Sequence, residues 1–363
     1  MKQIIFFSSG RADLAFIYKL FSLFDNKKKY KTKVILNDYS KVDFNFFKKN
    51  NLLKVKSDTI NTGKYDLINH IGKLLNNYSK LLSKTKPDYL FIVGDRYEAF
   101  AMAIVCNFLN IKIIHIAGGD ISKGSYDDEM RTYISKSAYL HFVTNIQSKK
   151  NLINLAKDKS KIFNYGSPSL DYIKSINKLN KKEISQKLNI NFNKYNILIT
   201  FHPETKNLKH TVKNLNIVLN ALSSLGLSYN FFITGSNVDT FGQTFNKIII
   251  DTVKRKKNFY FFSNLGTERY VQLANNCEIV LGNSSSLIYE IPFMGLKSIL
   301  IGSRQEGRYM SKKIIKIKMN KEKIINKIKD SIKKKKPKKD LKTYGNGSAS
   351  NRIFKKVDIL INE

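Results

Sequence analysis

The sequence predicts an α/β protein built from two doubly wound parallel layers. Short apolar runs rich in β-branched and aromatic residues alternate with helical patterns along the chain. At 363 residues the chain exceeds the comfortable size of one core, so two domains are expected. The apolar runs end in Gly, Ser, Asn, Asp or His, as in open sheets that bind ligands at the carboxyl ends of their strands.

In the first half, strands are expected at Gln3–Phe7, Lys33–Leu36, Tyr89–Val93, Lys112–Ile116, Leu140–Val143 and Ile162–Tyr165. Helical patterns at Tyr65–Ser83 and Glu98–Leu109 lie between them. A polar stretch rich in Lys and Asn, Lys174–Lys194, interrupts the alternation and reads as a domain junction. Strands follow at Asn196–Phe201, Asn230–Thr234, Phe259–Phe262, Glu278–Leu281 and Ser298–Ile301. They alternate with helices near Leu208–Ser224, Thr240–Lys254, Thr267–Asn275 and Ser285–Phe293, the last carrying Glu290 near its end. The expected ligand site is a cleft between two such domains.

Hydrophobic residues make up 42% and aromatic residues 12% of the chain, enough for packed cores. No apolar run reaches the length of about 18 residues that a membrane helix needs, so no membrane insertion is expected. The start, MKQIIFFSSGRADL, meets Arg11 and Asp13 too soon for a signal peptide and reads as a first buried strand. Cys106 and Cys277 stand alone in apolar segments with no metal spacing, which fits a reducing cytoplasm. The formal net charge is +36, but lysine is spread over the whole chain. The one dense run, Lys333–Lys339, reads as a helix exterior and solvated tail. No nucleic-acid-binding motif accompanies it, so no nucleic-acid partner is expected.

The most informative stretch is Gly282–Arg308, GNSSSLIYEIPFMGLKSILIGSRQEGR. Ser284 and Ser285 stand in one strand-to-helix turn, and Arg304 and Arg308 follow the next strand. Helix-start N–H groups and forked guanidinium donors both hold phosphate. Glu290, one short helix away, is placed to accept from sugar hydroxyls. Two further turns line the same edge. His202, before Pro203, is held extended at a strand end, where it can donate to a phosphate or act as an acid. Gly235 and Asn237 close the next turn.

The first half gathers charge instead. Arg11 follows the first strand. Asp95 and Arg96 follow the third, and a lone Asp there is a helix cap or a site acid. The next strand ends in His115, Ala117, Gly118, Gly119 and Asp120, and Asp127, Asp128 and Arg131 lie just beyond. Paired carboxylates in unequal environments are what proton abstraction and return require.

In this order and spacing, GDRYEA, HIAGGD with DDEMR, FHPET, GNSSS with Glu290, and IGSRQEGR resemble the hydrolysing UDP-N-acetylglucosamine 2-epimerases of bacterial sialic- and legionaminic-acid pathways. The resemblance runs from Arg11 to the tail YGNGSASNRI at Tyr344–Ile353. It implies two Rossmann-like domains facing across a cleft in a glycosyltransferase-B-like arrangement, 1–173 and 174–340. A C-terminal helix within 341–363 would cross back onto the first domain. It implies a nucleotide-sugar substrate, no metal or redox cofactor, and a homodimer. By motif match Asp95 and Asp127 fall on catalytic carboxylates. Arg11 and Arg96 fall on basic residues near the diphosphate and sugar, and His202, Ser284, Ser285, Glu290 and Arg304 on the nucleotide site. Many members carry a catalytic glutamate where this chain has Ala117, and Asp120 or Asp128 are the carboxylates at hand to replace it. The departures cluster in the first domain, which suggests an ordinary nucleotide and an unusual sugar, for example a 2,4-diacetamido-trideoxy hexose. A non-hydrolysing 2-epimerase and a glycosyltransferase of the same fold are the other enzymes considered.

Overall fold

The structure is a computed structural model, and it describes residues 1–37, 51–55, 64–121, 127–203, 208–236 and 242–363. The chain divides into two compact units. Among the described residues one holds everything up to Lys174 together with Lys342–Glu363, and the other holds Ser175–Leu341.

The first unit carries a seven-stranded parallel sheet. Its elements are β1 (Lys2–Ser8), α1 (Arg11–Asp25), β2 (Tyr30–Asn37), β3 (Leu52–Val55), α2 (Lys64–Thr85), β4 (Tyr89–Val93), α3 (Tyr97–Phe108) and β5 (Lys112–Ile116). α4 (Asp127–Ser137), β6 (Leu140–Val143), α5 (Ile146–Leu152), β7 (Ile162–Asn164) and α6 (Ser169–Ser175) complete the run. The strand order is β3-β2-β1-β4-β5-β6-β7, so the chain reverses its direction of winding between β1 and β4. Crevices at the carboxyl ends of strands open at such reversals, which makes the β1 and β4 turns candidates for a site.

Both faces of this sheet are covered, and the period-2 alternation of strands sorts the core. Ile4 and Phe6 of β1 pack with Phe24 and Phe91 on one face. Ile5 and Phe7 pack with Tyr78 and Met102 on the other. The C-terminal helix, numbered α13 below (Ala349–Leu360), buries Ile353 and Val357 in the first of these clusters. Its orphan N-terminal N–H groups are met from far away in sequence: Asp171 accepts from Ala349 N (2.9 Å) and Ser350 N (3.3 Å). The tail thus completes the first unit.

The second unit starts with α7 (Lys181–Leu188), β8 (Tyr195–Thr200), α8 (Leu208–Ser223), β9 (Tyr229–Thr234), α9 (Gly242–Lys254), β10 (Phe259–Phe262), α10 (Gly266–Asn275) and β11 (Ile279–Gly282). A 3₁₀ turn (Ser285–Leu287), α11 (Glu290–Met294), β12 (Ser298–Ile301), β13 (Ile315–Ile317) and α12 (Lys321–Lys333) follow. The six parallel strands run β10-β9-β8-β11-β12-β13, reversing between β8 and β11. The run Lys333–Lys336 past α12 is exposed.

Four sequence expectations need correction. The two units divide at the start of the polar stretch Lys174–Lys194, as its reading as a junction expects, but the stretch also holds α7, started by a capping box in which Asn180 and Glu183 bond each other's backbone N–H. The short edge strands β3 and β13 were not foreseen. The expected helix Ser285–Phe293 is two pieces, and Glu290 opens the second rather than closing one helix. Pro292 explains the break: without an N–H it fits only the first turn of a helix, so the ladder restarts just before it. The fourth correction, at His115, belongs to the site.

Candidate active site on two strand edges

At the carboxyl edge of the first unit the chemistry is charged. β4 ends at Val93, and Gly94 and Asp95 follow before α3 begins. Asp95 Oδ2 accepts directly from the Arg131 guanidinium. The other nitrogen of that guanidinium, on α4, donates to Asp128 Oδ1 (2.5 Å) and to the carbonyl of Asp120 (2.5 Å). Arg131 is 2% exposed, and a buried guanidinium persists only when its fork is paired in this way. The Asp95 side chain keeps 19% of its exposure, so it is fixed in place but reachable.

Around this centre the neighbouring turns are held by polar contacts. Arg96 makes a forked pair with the buried Glu98, Nε to Oε2 at 3.1 Å and Nη2 to Oε1 at 3.0 Å. Asp120 accepts from Ser148 Oγ and from Asn145 Nδ2 (3.2 Å), which ties it to the start of α5. Asp13 accepts from Ser9 N (2.8 Å), Ser9 Oγ and Gly10 N (3.2 Å), shaping the β1 turn. Burial outweighs those donors and raises the Asp13 pKa to about 6. Gly119 must be glycine: it has φ +80°, and a Cβ there would lie 2.3 Å from the carbonyl of Ser148.

His115 does not join this group. It is fully buried, with Nε2 2.8 Å from the Gly94 carbonyl and Nδ1 3.1 Å from Ser135 Oγ. Burial lowers its pKa to about 3, so it is a neutral clamp between β4, β5 and α4. Ala117 sits in the left-handed region at φ +61°, with its N–H on the Phe142 carbonyl and its methyl against the core. The backbone of Asp127 opens α4, while its side chain and that of Arg11 lie outside the described part.

The edge of the second unit is mostly neutral. Gly282 approaches β8 so closely that a Cβ would lie 2.0 Å from the Thr200 carbonyl, at φ +151°. The three serines that follow divide their work. Ser284 caps the 3₁₀ turn by accepting from Ser286 N (3.3 Å). Ser286 Oγ pairs with Tyr270 Oη of α10 at 2.8 Å. Among the described residues the half-buried Ser285 hydroxyl has neither duty.

Arg304 Nη1 (3.2 Å) and Gln305 Nε2 (2.9 Å) both donate to the carbonyl of Asn283. Arg308 lies half-buried in the same turn, its N–H toward the Gln305 carbonyl at 3.4 Å. His202 is half-buried, and its Nδ1 is enclosed without a hydrogen-bond partner among the described residues. Burial first, then the Arg304 charge, lowers its pKa to about 3. The imidazole is therefore neutral near pH 7, which removes the cationic-acid role and leaves that of a donor or acceptor. Burial raises the Glu290 pKa to about 7. Gly235 donates to the Phe262 carbonyl (2.7 Å), and Asn237 lies outside the described residues.

Sequence reasoning missed the partners that aim these groups: Asn283, Gln305 and Tyr270 here, Asn145 and Ser148 in the first unit. Only Asn145, an Asn cap at a helix start after a strand, left a readable signal. Among the described residues no group of three or more His, Cys, Asp or Glu is placed to hold a metal ion. No helix of those residues is long and apolar enough to cross a membrane.

Residues 35–358 match the family described as UDP-N-acetylglucosamine 2-epimerase. The chain belongs to this family. Among its relatives is the GDP/UDP-N,N'-diacetylbacillosamine 2-epimerase (hydrolyzing) of Campylobacter jejuni, 35% identical over 72% of this chain and 68% of the relative. The polysialic acid biosynthesis protein P7 of Escherichia coli is 28% identical over 90% and 85%. The UDP-N,N'-diacetylbacillosamine 2-epimerase (hydrolyzing) of Legionella pneumophila is 27% identical over 82% and 78%. In fold the chain is similar to the Methanocaldococcus jannaschii 2-epimerase solved with UDP-GlcNAc and UDP, with a TM-score of 0.81 and 21% identity over the whole of both chains. The Neisseria meningitidis 2-epimerase bound to UDP-GlcNAc superposes with a TM-score of 0.77 at 18% identity, again over both whole chains. The α/β fold with two parallel sheets is thus the fold of the 2-epimerases.

Proposed function

We propose that this 2-epimerase is of the hydrolysing kind and acts on a 2-acetamido sugar nucleotide. A base removes the proton at C2 while the bond from C1 to the nucleoside diphosphate breaks. Water then adds across the resulting glycal, its oxygen to C1 and a proton to the opposite face of C2. The products are the C2-inverted free sugar and the nucleoside diphosphate. Asp95 carries the proton work with Asp127, and Arg96, Arg11 and Asp120 serve the sugar and diphosphate. Ser284, Ser285, Gly235, Asn237, Arg304 and Arg308 hold the leaving diphosphate, Glu290 the ribose, and neutral His202 donates one hydrogen bond.

The observation that carries this reading is Asp95, fixed at the β4 end by the buried Arg131 yet still open to a ligand. Positioned acids and bases contribute roughly 10²- to 10⁴-fold each. FHPET and HIAGGD, rather than the segments of non-hydrolysing enzymes, support hydrolysis, as do the names of two of the relatives. Those same names favour a 2,4-diacetamido-trideoxy sugar over N-acetylglucosamine. The reading includes a homodimer acting in the cytoplasm, supplying precursors of the sialic- or legionaminic-acid type.

The test is incubation with UDP-N-acetylglucosamine and, separately, UDP-N,N'-diacetylbacillosamine in D₂O, followed by NMR. The expected products are UDP and a free C2-inverted sugar carrying deuterium at C2, formed faster from the diacetamido substrate. An epimerised nucleotide sugar that stays intact defeats the hydrolytic reading. Faster turnover of UDP-N-acetylglucosamine defeats the sugar assignment.

A further inference from the structure

We infer that Asn283 is a positioning residue, one that sets the nucleotide-holding edge of the second unit without touching the substrate itself. The inference rests on the proposed role of that edge. Asn283 is 1% exposed and stands between Gly282 and Ser284 at the end of β11. Its side chain makes a two-way clamp on the backbone of His202: Oδ1 accepts from His202 N (2.7 Å) and Nδ2 donates to His202 O (2.8 Å). Its own N–H donates to the Thr200 carbonyl at 3.2 Å. Its carbonyl receives Arg304 Nη1 at 3.2 Å and Gln305 Nε2 at 2.9 Å.

One buried residue therefore joins the ends of three adjacent strands, β8, β11 and β12. It links three groups that must share one geometry to hold a diphosphate: the His202 ring, the Ser284–Ser285 turn and the Arg304 fork. A carboxamide is the side chain this requires. The His202 segment presents one donor and one acceptor, and only an amide of this length meets both. Removing it leaves two buried backbone groups unpaired, and the segment shifts to find other partners. Misplacement of an ångström is enough to lose binding that depends on aimed donors.

The test is a double-mutant cycle read by calorimetric titration with UDP. Asn283→Ala is expected to weaken UDP at least tenfold. On a His202→Ala background the same substitution should cost less than half of that factor, because it acts through His202. Steady-state turnover should show the loss mainly in KM. If Asn283→Ala does not fold, Asn283→Asp keeps the bond from His202 N while losing the donation to His202 O, and the same non-additivity is expected. Strictly additive effects, or a lowered melting temperature with unchanged UDP affinity, overturn the inference. Absence of UDP binding by the wild type overturns the functional reading along with it.

Discussion

The two sheet edges of this 2-epimerase are built on different electrostatic plans. The first unit lines its edge with ionic pairs: Arg131 holds Asp95 and Asp128, and Arg96 holds Glu98. The second sets neutral groups beside its arginines: the His202 imidazole, whose Nδ1 has no partner among the described residues, the half-buried Ser285 hydroxyl, and the carboxyl of Glu290 with its raised pKa. On the proposed reading, the charges that do proton chemistry are fixed in advance, which leaves little reorganisation for the moment of reaction. On the same reading, the groups that receive a ligand are left partly unsatisfied. That state costs stability in the free protein and is relieved by binding. The comparison explains why one edge is read through its charges and the other through its missing partners.

The largest effect should follow from breaking the charged edge. Asp95→Asn keeps the size of the side chain and one acceptor for Arg131 but removes the base. Turnover should fall by about 10² to 10⁴, with UDP affinity within a few-fold of wild type. Single-turnover kinetics with the preferred substrate and titration with UDP measure the two quantities. A comparable loss of UDP affinity would show that the first edge works mainly in nucleotide binding.

A smaller effect should separate two adjacent serines of the neutral edge. The Ser284 hydroxyl is occupied in capping, whereas that of Ser285 is not. A hydrogen bond to a charged group is worth about 1.5–3 kcal/mol. Ser285→Ala should therefore weaken UDP by about tenfold or more with no change in melting temperature. Ser284→Ala should lower the melting temperature as well, since a lost cap costs about 1 kcal/mol. Equal behaviour of the two variants would mean that the turn binds through its backbone alone.

Much of this contrast was legible in the sequence, and the rest was hidden for identifiable reasons. Fully apolar strands such as Tyr89–Val93 and Ser298–Ile301, bounded by Gly and charged residues, declare themselves. β3 and β13 are short edge strands, and Lys54 and Lys316 interrupt their apolar runs. α7 hid in a polar segment although its N-x-x-E capping signal at Asn180 was present. His115 looked like part of the charged cluster because it is close in sequence to Asp120. It is neutral and enclosed because β5 is covered on both faces, and no local pattern reports that. Asn283 was read as one letter of a phosphate-binding turn. Its real contacts run to His202 and Arg304, each from another strand end, and long-range clamps of that kind leave no local trace.

The two acids with raised pKa values, Asp13 and Glu290, give the finest way to sharpen the comparison, because each lies in a different kind of edge. Asp13 has a folded-state pKa of about 6 against an ordinary 3.8. The folded chain therefore binds the proton more tightly than the unfolded one. That contribution to stability is full below about pH 4 and is lost as pH rises through about 6. Asp13→Asn should remove this descending component from a plot of unfolding free energy against pH.

Glu290, with its pKa of about 7, should act on binding instead. If its carboxylate accepts from ribose hydroxyls, the ligand favours the ionised form, and UDP affinity should rise as pH climbs from 6 to 8. The terminal phosphate of UDP also ionises near about pH 6, but that component is common to any variant. The decisive quantity is thus the difference between wild type and Glu290→Gln. The wild-type curve should rise by a few-fold more across this interval, and the two should converge at the acid end. Parallel curves would mean that Glu290 stays protonated in the complex.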